Sequence, residues 1–116
     1  MNKIDQFGQE QKNLFMQTIG EQLKELRENK GLLLRDVAEA LEVDSSFLSK
    51  IEHGIKRPTK AQIIKLGEIF KANTKELLIT FLSDKVAYEL KEEDQPNKIM
   101  KVAEKKIAYL NRKQKD

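Results

Sequence analysis

Apolar residues recur along this chain at helical spacing, and no stretch alternates as a half-buried strand does. Ile19, Leu23 and Leu26 share one stripe of a first helix. Thr18 caps it, Glu21 stands three residues on at capping-box spacing, and Gly31 stops it. Leu34, Val37, Ala38 and Leu41 mark a second helix. After the turn Glu42-Val43-Asp44, the Asp44 side chain caps a third, from Ser45 to about His53, with Leu48 and Ile51 inward and Gly54 at its end. Thr59 and Gln62 form another capping box ahead of a fourth helix that buries Ile63, Leu66 and Phe70, with Gly67 leaving room for a neighbour. Asn73 and Glu76 repeat the pattern for a fifth, containing Leu77, Leu78 and Phe81.

From Ser83 onward the pattern changes. A short helix from Asp84 to about Lys91 meets the acidic break Glu92-Glu93-Asp94, and Pro96 suits the first turn of a final helix. There Ile99, Ala103, Ile107 and Leu110 form a narrow apolar stripe, and Lys98, Lys101, Lys105, Lys106, Arg112 and Lys113 load the other faces. Residues 1–17, with Ile4, Phe7, Leu14 and Phe15, read as an arm or a short extra helix. The expected architecture is all-α: a five-helix domain over residues 18–82, whose stripes satisfy one another, and a helical extension over 83–116.

Composition narrows the chemistry. The 116 residues are enough for one domain with a modest core. There is no cysteine, so no disulfide or thiolate site, and His53 is the single histidine, so no histidine-built metal site; no cofactor is expected. No apolar run has the length of a signal peptide or membrane span, so the expectation is a cytoplasmic protein with no membrane partner. Net charge is +3 and says little, but its placement says more. Between Ser45 and Lys71 stand six bases and two acids, which suits a surface facing phosphates.

Two short helices around a three-residue turn, the second opening with small polar residues and followed by a basic loop, fit the major groove of DNA. That groove admits one helix, whose N-terminal residues meet base edges. The outward positions here are Ser45, Ser46, Ser49 and Lys50, with Lys50 long enough for guanine O6 and N7. His53, Lys56, Arg57 and Lys60 lie at or beyond the helix end, where cations neutralise phosphates. Phe47 is expected to pack, half-buried, rather than touch a thymine methyl. Ser49 and His53, one turn apart, have the spacing of a hydroxyl and a base, but nothing in the chain supplies an orienting third group, and no enzyme is expected. Glu52, an acid at a basic surface, is expected to be structural, bonded to Arg35 or a backbone amide.

Residues 19–82 resemble the Cro-type, lambda-repressor-like helix-turn-helix family, also called XRE. The resemblance is carried by IGEQLKELRENKG, RDVAEALEVDSSFLSKIEHGIKRP and IIKLGEIF, with Ala38, Leu41, Val43, Leu48, Ile51, Glu52, Gly54 and Pro58 together at the family's spacing. It implies base reading by Ser45, Ser46, Ser49 and Lys50, and a phosphate clasp of Arg35, His53, Gly54, Lys56, Arg57 and Lys60. Three departures stand out. Leu33 and Leu34 replace the polar cap of the second helix, a loss worth about 1 kcal/mol. Glu42 stands where the family has glycine, at roughly 1 kcal/mol if the turn is left-handed. His53 replaces an asparagine.

The implied function is a transcriptional regulator binding double-stranded DNA as a homodimer on a palindromic operator, either excluding RNA polymerase or recruiting it. For the stripe Ile99, Ala103, Ile107 and Leu110 three readings stand: packing on its own domain, pairing with a second subunit, or receiving another protein. Pairing is favoured, and the tail's lysines read as a solvated face. The alternative function is a protein-interaction module on the same fold, a toxin-binding antitoxin or an adaptor that binds no DNA, with a cognate protein partner.

Overall fold

The computed structural model describes residues 16–115, so the expectation for residues 1–15 lies outside the described residues. Six helices and no strands occur among the described residues: α1 (Ile19–Asn29), α2 (Leu34–Leu41), α3 (Ser45–Glu52), α4 (Lys60–Phe70), α5 (Thr74–Leu90) and α6 (Pro96–Lys115). The chain is all-α, and four of the first five helices, α1, α3, α4 and α5, begin at the side-chain caps that local chemistry predicts. Thr18 Oγ1 accepts the Glu21 amide at 3.3 Å, Asp44 Oδ1 the Phe47 amide at 2.7 Å, and Asn73 Oδ1 the Glu76 amide at 3.2 Å. At Thr59 the capping box is complete, with the Gln62 side chain accepting the Thr59 amide at 2.9 Å. At Thr18 it is not: Glu21 meets the Thr18 hydroxyl, and the amide of Ile19 goes to Asp84 Oδ2, 65 positions on, at 2.8 Å.

Packing divides the chain into two units, one through Lys85 and one from Val86. In the first, each helix contributes residues of its predicted stripe to one core: Ile19 and Leu23, then Val37, Ala38 and Leu41, then Leu48 and Ile51, then Ile63, Leu66 and Phe70, and finally Leu77 and Phe81, with Leu26, Leu34 and Leu78 only partly buried against it. Burying each large aliphatic or phenyl group contributes about 1.5–3 kcal/mol. Gly67 lets α5 start against α4, because a Cβ there would collide with the Thr74 hydroxyl.

Two expectations fail here. No separate helix begins at Asp84; α5 runs unbroken from Thr74 to Leu90. No glycine or proline interrupts it, and within it the Ser83 hydroxyl donates to the Thr80 carbonyl at 3.1 Å. Nor do the five helices satisfy all their stripes. Besides its buried Leu77, Thr80 and Phe81, α5 leaves Ile79, Leu82 and Val86 about half exposed.

Two helix ends hold non-glycine residues in the left-handed region, Glu42 at φ 64° after α2 and Lys71 at φ 52° after α4. Both close their helices with backbone bonds, Val43 N to Ala38 O at 3.0 Å and Ala72 N to Gly67 O at 2.9 Å. The ion pair of Glu42 with Lys65, 3.7 Å long and largely exposed, offsets little of the strain. Glu42→Gly is therefore expected to stabilise the fold by about 1 kcal/mol. A urea midpoint at or below that of the unaltered protein would refute this.

In the second unit, α6 begins with Pro96, and its stripe Ile99, Ala103, Ile107 and Leu110 is exposed, as are Met100, Val102 and Tyr109.

Candidate nucleic-acid interface

The left-handed residue Glu42 and the extended Asp44 (φ −80°, ψ 160°) re-aim the chain between α2 and α3 within three residues. On α3, helical periodicity then separates two faces. Leu48, Ile51 and Glu52 point inward, with Phe47 half-buried against the core. Ser46, Lys50 and His53 are exposed on the outer face, with Ser45 and Ser49 partly so. The four residues expected to read bases thus share one solvent-facing edge.

A buried clamp orients this helix. Glu52, the last residue of α3, has a side chain only 3% exposed. Its carboxylate accepts from Arg27 of α1 twice, from Nε at 2.8 Å and Nη2 at 3.2 Å, while Arg27 Nη1 donates to the Leu32 carbonyl at 3.0 Å. One guanidinium thereby ties α1, the turn before α2 and the end of α3. The hydrogen bond to Glu52 is the main cause holding the Arg27 pKa above its ordinary value; partial burial opposes it, and the charges of Glu52 and Glu28 add to it. The expectation that Glu52 bonds Arg35 is therefore corrected. Arg35 is the second residue of α2, its side chain 78% exposed, with only a loose 3.9 Å approach to Asp36.

Beside the clamp, Gly20 of α1 lies against the end of α3. A Cβ there would collide with the Ile51 carbonyl oxygen and stand 2.8 Å from that of Glu52. Sequence reading singled out neither Arg27 nor Gly20. The separation Gly20 to Arg27, seven residues and so one helix face, was the available signal.

After α3 the chain folds back on itself. Gly54, at φ 75°, takes a conformation that side chains disfavour, and the Ile55 and Lys56 amides then both reach the Lys50 carbonyl, at 2.8 and 3.2 Å. Pro58 is buried; His53, Gly54, Lys56, Arg57 and Lys60 are exposed. Because Glu52 is buried and paired, it does not offset the cations of this surface. Ile55, 70% exposed among them, was not anticipated.

His53 Nδ1 lies 2.8 Å from the Ser49 carbonyl oxygen, which can only accept, so this nitrogen carries the hydrogen. The Ser49 hydroxyl, 3.5 Å from the same nitrogen, therefore faces a donor and not a base. At the start of α2, Leu33 provides no side-chain cap. Among the described residues no cluster of metal-binding side chains occurs, and no helix is long and apolar enough to cross a membrane.

A family model described as a helix-turn-helix domain matches residues 18–78. No curated protein matches the chain. Among solved structures, the clp gene regulator ClgR of Corynebacterium glutamicum is 29% identical over 57% of this chain and 86% of its own, with a TM-score of 0.50. A second ClgR structure, 23% identical over 79% of this chain and 84% of that one, has a TM-score of 0.51 and bears on the fold alone. A transcriptional regulator of Vibrio cholerae is 33% identical over 53% of this chain and 34% of that one, with a TM-score of 0.47.

Proposed function

We propose that this chain, which belongs to the lambda-repressor-like helix-turn-helix family, binds double-stranded DNA sequence-specifically and regulates transcription as a dimer on a palindromic operator. The observation that carries this is the outer edge of α3. Ser45, Ser46, Ser49 and Lys50 face solvent together on a helix capped by Asp44 and clamped through Glu52. A helix so presented enters the major groove with hydroxyls and an ammonium at base-edge height, Lys50 suiting guanine O6 and N7.

The phosphate clasp in this reading is made by Arg35, His53, the Gly54 backbone, Lys56, Arg57 and Lys60. His53 presents Nε2 outward, because Nδ1 is held by the Ser49 carbonyl. Lys60 stands at the first position of α4, where the helix dipole also attracts an anion. One short helix reads few base pairs, so two copies are required, with half-sites about 34 Å apart. We assign the exposed stripe Ile99, Ala103, Ile107 and Leu110 to pairing of the copies. That one relative is a gene regulator supports a regulatory role for this chain too.

Selection from random double-stranded DNA, followed by sequencing, tests the reading. The unaltered chain is expected to enrich a two-fold symmetric motif. Lys50→Ala should blur particular bases, at about 1–3 kcal/mol for each base that Lys50 reads. Lys56→Ala should instead weaken all sites alike and flatten the salt dependence by about one unit of slope. Enrichment of no motif at low salt would overturn the DNA reading in favour of a protein-interaction module.

A further inference from the structure

α6 holds the chain's excess of positive charge. Of 22 bases and 19 acids in the chain, Pro96–Lys115 carries seven bases and one acid, which leaves the remainder with 15 bases against 18 acids. The bases are also sorted by face. Lys98, Lys101, Lys105 and Arg112 advance by three, four and seven residues, so they share a sector of about 60° on the side opposite the apolar stripe. The lone acid of α6, Glu104, falls outside that sector. All four cations are exposed, and among the described residues none of them makes an ion pair.

Solvation alone does not account for this row. A helix face that meets only water gains from opposite charges three or four residues apart, and like charges at those spacings weaken it. Lys98 with Lys101, and Lys101 with Lys105, are such like pairs. Lys98 also stands in the first turn, where the helix dipole disfavours a cation and no acid is present. The row thus works against its own helix, and an external polyanion reverses the sign. At the N-terminal end, Glu93 and Asp94 line one groove with Lys98. The part clear of that acidic turn is Lys101, Lys105 and Arg112, about 16 Å long.

We propose that Lys101, Lys105 and Arg112 grip the phosphate backbone of the DNA that α3 reads, in contacts blind to sequence. Each strand of a duplex carries a charge about every 3.4 Å of its axis, so the row spans about five phosphates. Pairing of two copies through the apolar stripe leaves the row facing outward on both. A bilayer that took up the apolar stripe would instead leave these cations pointing into water, away from its headgroups. The inference rests on the DNA reading above and adds to it a second, purely electrostatic contact.

Binding of the full chain over a salt series tests it, on one duplex carrying the selected motif and one of unrelated sequence. Lys101→Ala/Lys105→Ala is compared with Lys106→Ala/Lys113→Ala, which removes the same charge from α6 outside the row. All four positions are exposed, so helical circular dichroism and sedimentation are expected to stay unchanged. The first pair should flatten the dependence of log affinity on log salt by about two units on both duplexes. The second should leave it nearly unchanged, and Lys101→Arg/Lys105→Arg should keep the full slope.

Equal flattening by both alanine pairs would mean that α6 acts through its net charge and that no face of it grips DNA. No flattening by the first pair, with Lys56→Ala still flattening, overturns the α6 contact and leaves the DNA reading standing. If no motif is selected, yet the first pair flattens binding to the unrelated duplex, base reading fails and the α6 contact stands. A chain that binds neither duplex overturns both. Loss of binding to phosphatidylglycerol vesicles by the first pair, with both duplex slopes unchanged, would assign the row to a lipid surface and overturn the inference.

Discussion

Glu52→Ala is expected to destabilise the fold by about 3 kcal/mol, read as a lower urea midpoint at unchanged slope. The magnitude follows from what is left behind. Arg27 is 15% exposed and makes two of its three described bonds to Glu52, so removing the carboxylate strands a charge in a site built to neutralise it. For a small domain of marginal stability this is a large fraction of the whole. The double variant Arg27→Met/Glu52→Leu should recover most of the loss, because apolar side chains of similar volume need no partner. It would leave the Leu32 carbonyl one donor short, worth about 1 kcal/mol.

The same variant separates structure from recognition. Glu52 faces the core, so Glu52→Ala should lower the amount of folded protein without changing which bases are selected. A changed motif with an unchanged midpoint would show that Glu52 reads DNA and does not brace it. The pH dependence follows from the direction of the Arg27 shift. A raised folded-state pKa gives stability that is fully present below the ordinary guanidinium value and fades only above it. Across about pH 6–9 this group therefore contributes no slope.

What was legible in the sequence was local. Asp44, Thr59 and Asn73 announce helix starts because a cap and its amide lie three residues apart, and the structure makes each of those bonds. The division of α3 into Leu48 and Ile51 inward and Ser46 and Lys50 outward follows from the period of 3.6 alone. What was hidden is non-local or double-sided. Glu52 finds Arg27 across 25 residues and Ile19 finds Asp84 across 65, separations on which periodicity is silent. α5 runs on through Ser83, a residue type found both inside helices and at their breaks, so composition does not distinguish the two. Its outer face escaped notice because Ile79, Leu82 and Val86 interleave with the buried positions. Helical periodicity blurs when both faces are apolar.

Gly20 is the strictest position in the frame that aims α3. In most helices Gly→Ala stabilises by about 1 kcal/mol, but here the sign is expected to reverse, with a net loss of about 2 kcal/mol. The obstacle to a Cβ is backbone: the Ile51 carbonyl oxygen, with the Glu52 carbonyl oxygen at 2.8 Å and its carbon at 3.1 Å. A side chain can rotate away from such a contact, but the end of α3 can yield only by moving. Arg27 lies on the same face of α1, two turns along, so any such movement also stretches its bonds to Glu52. The effect should reach recognition as well, because base edges must be met within a fraction of an ångström. Gly20→Ala is thus expected to weaken DNA binding about tenfold beyond what the lost folded fraction explains, and equally for all sequences related to the selected motif. A stabilised Gly20→Ala protein, with full affinity, would mean that α1 and α3 are not held at this separation and that α3 is aimed by the Arg27–Glu52 pair alone.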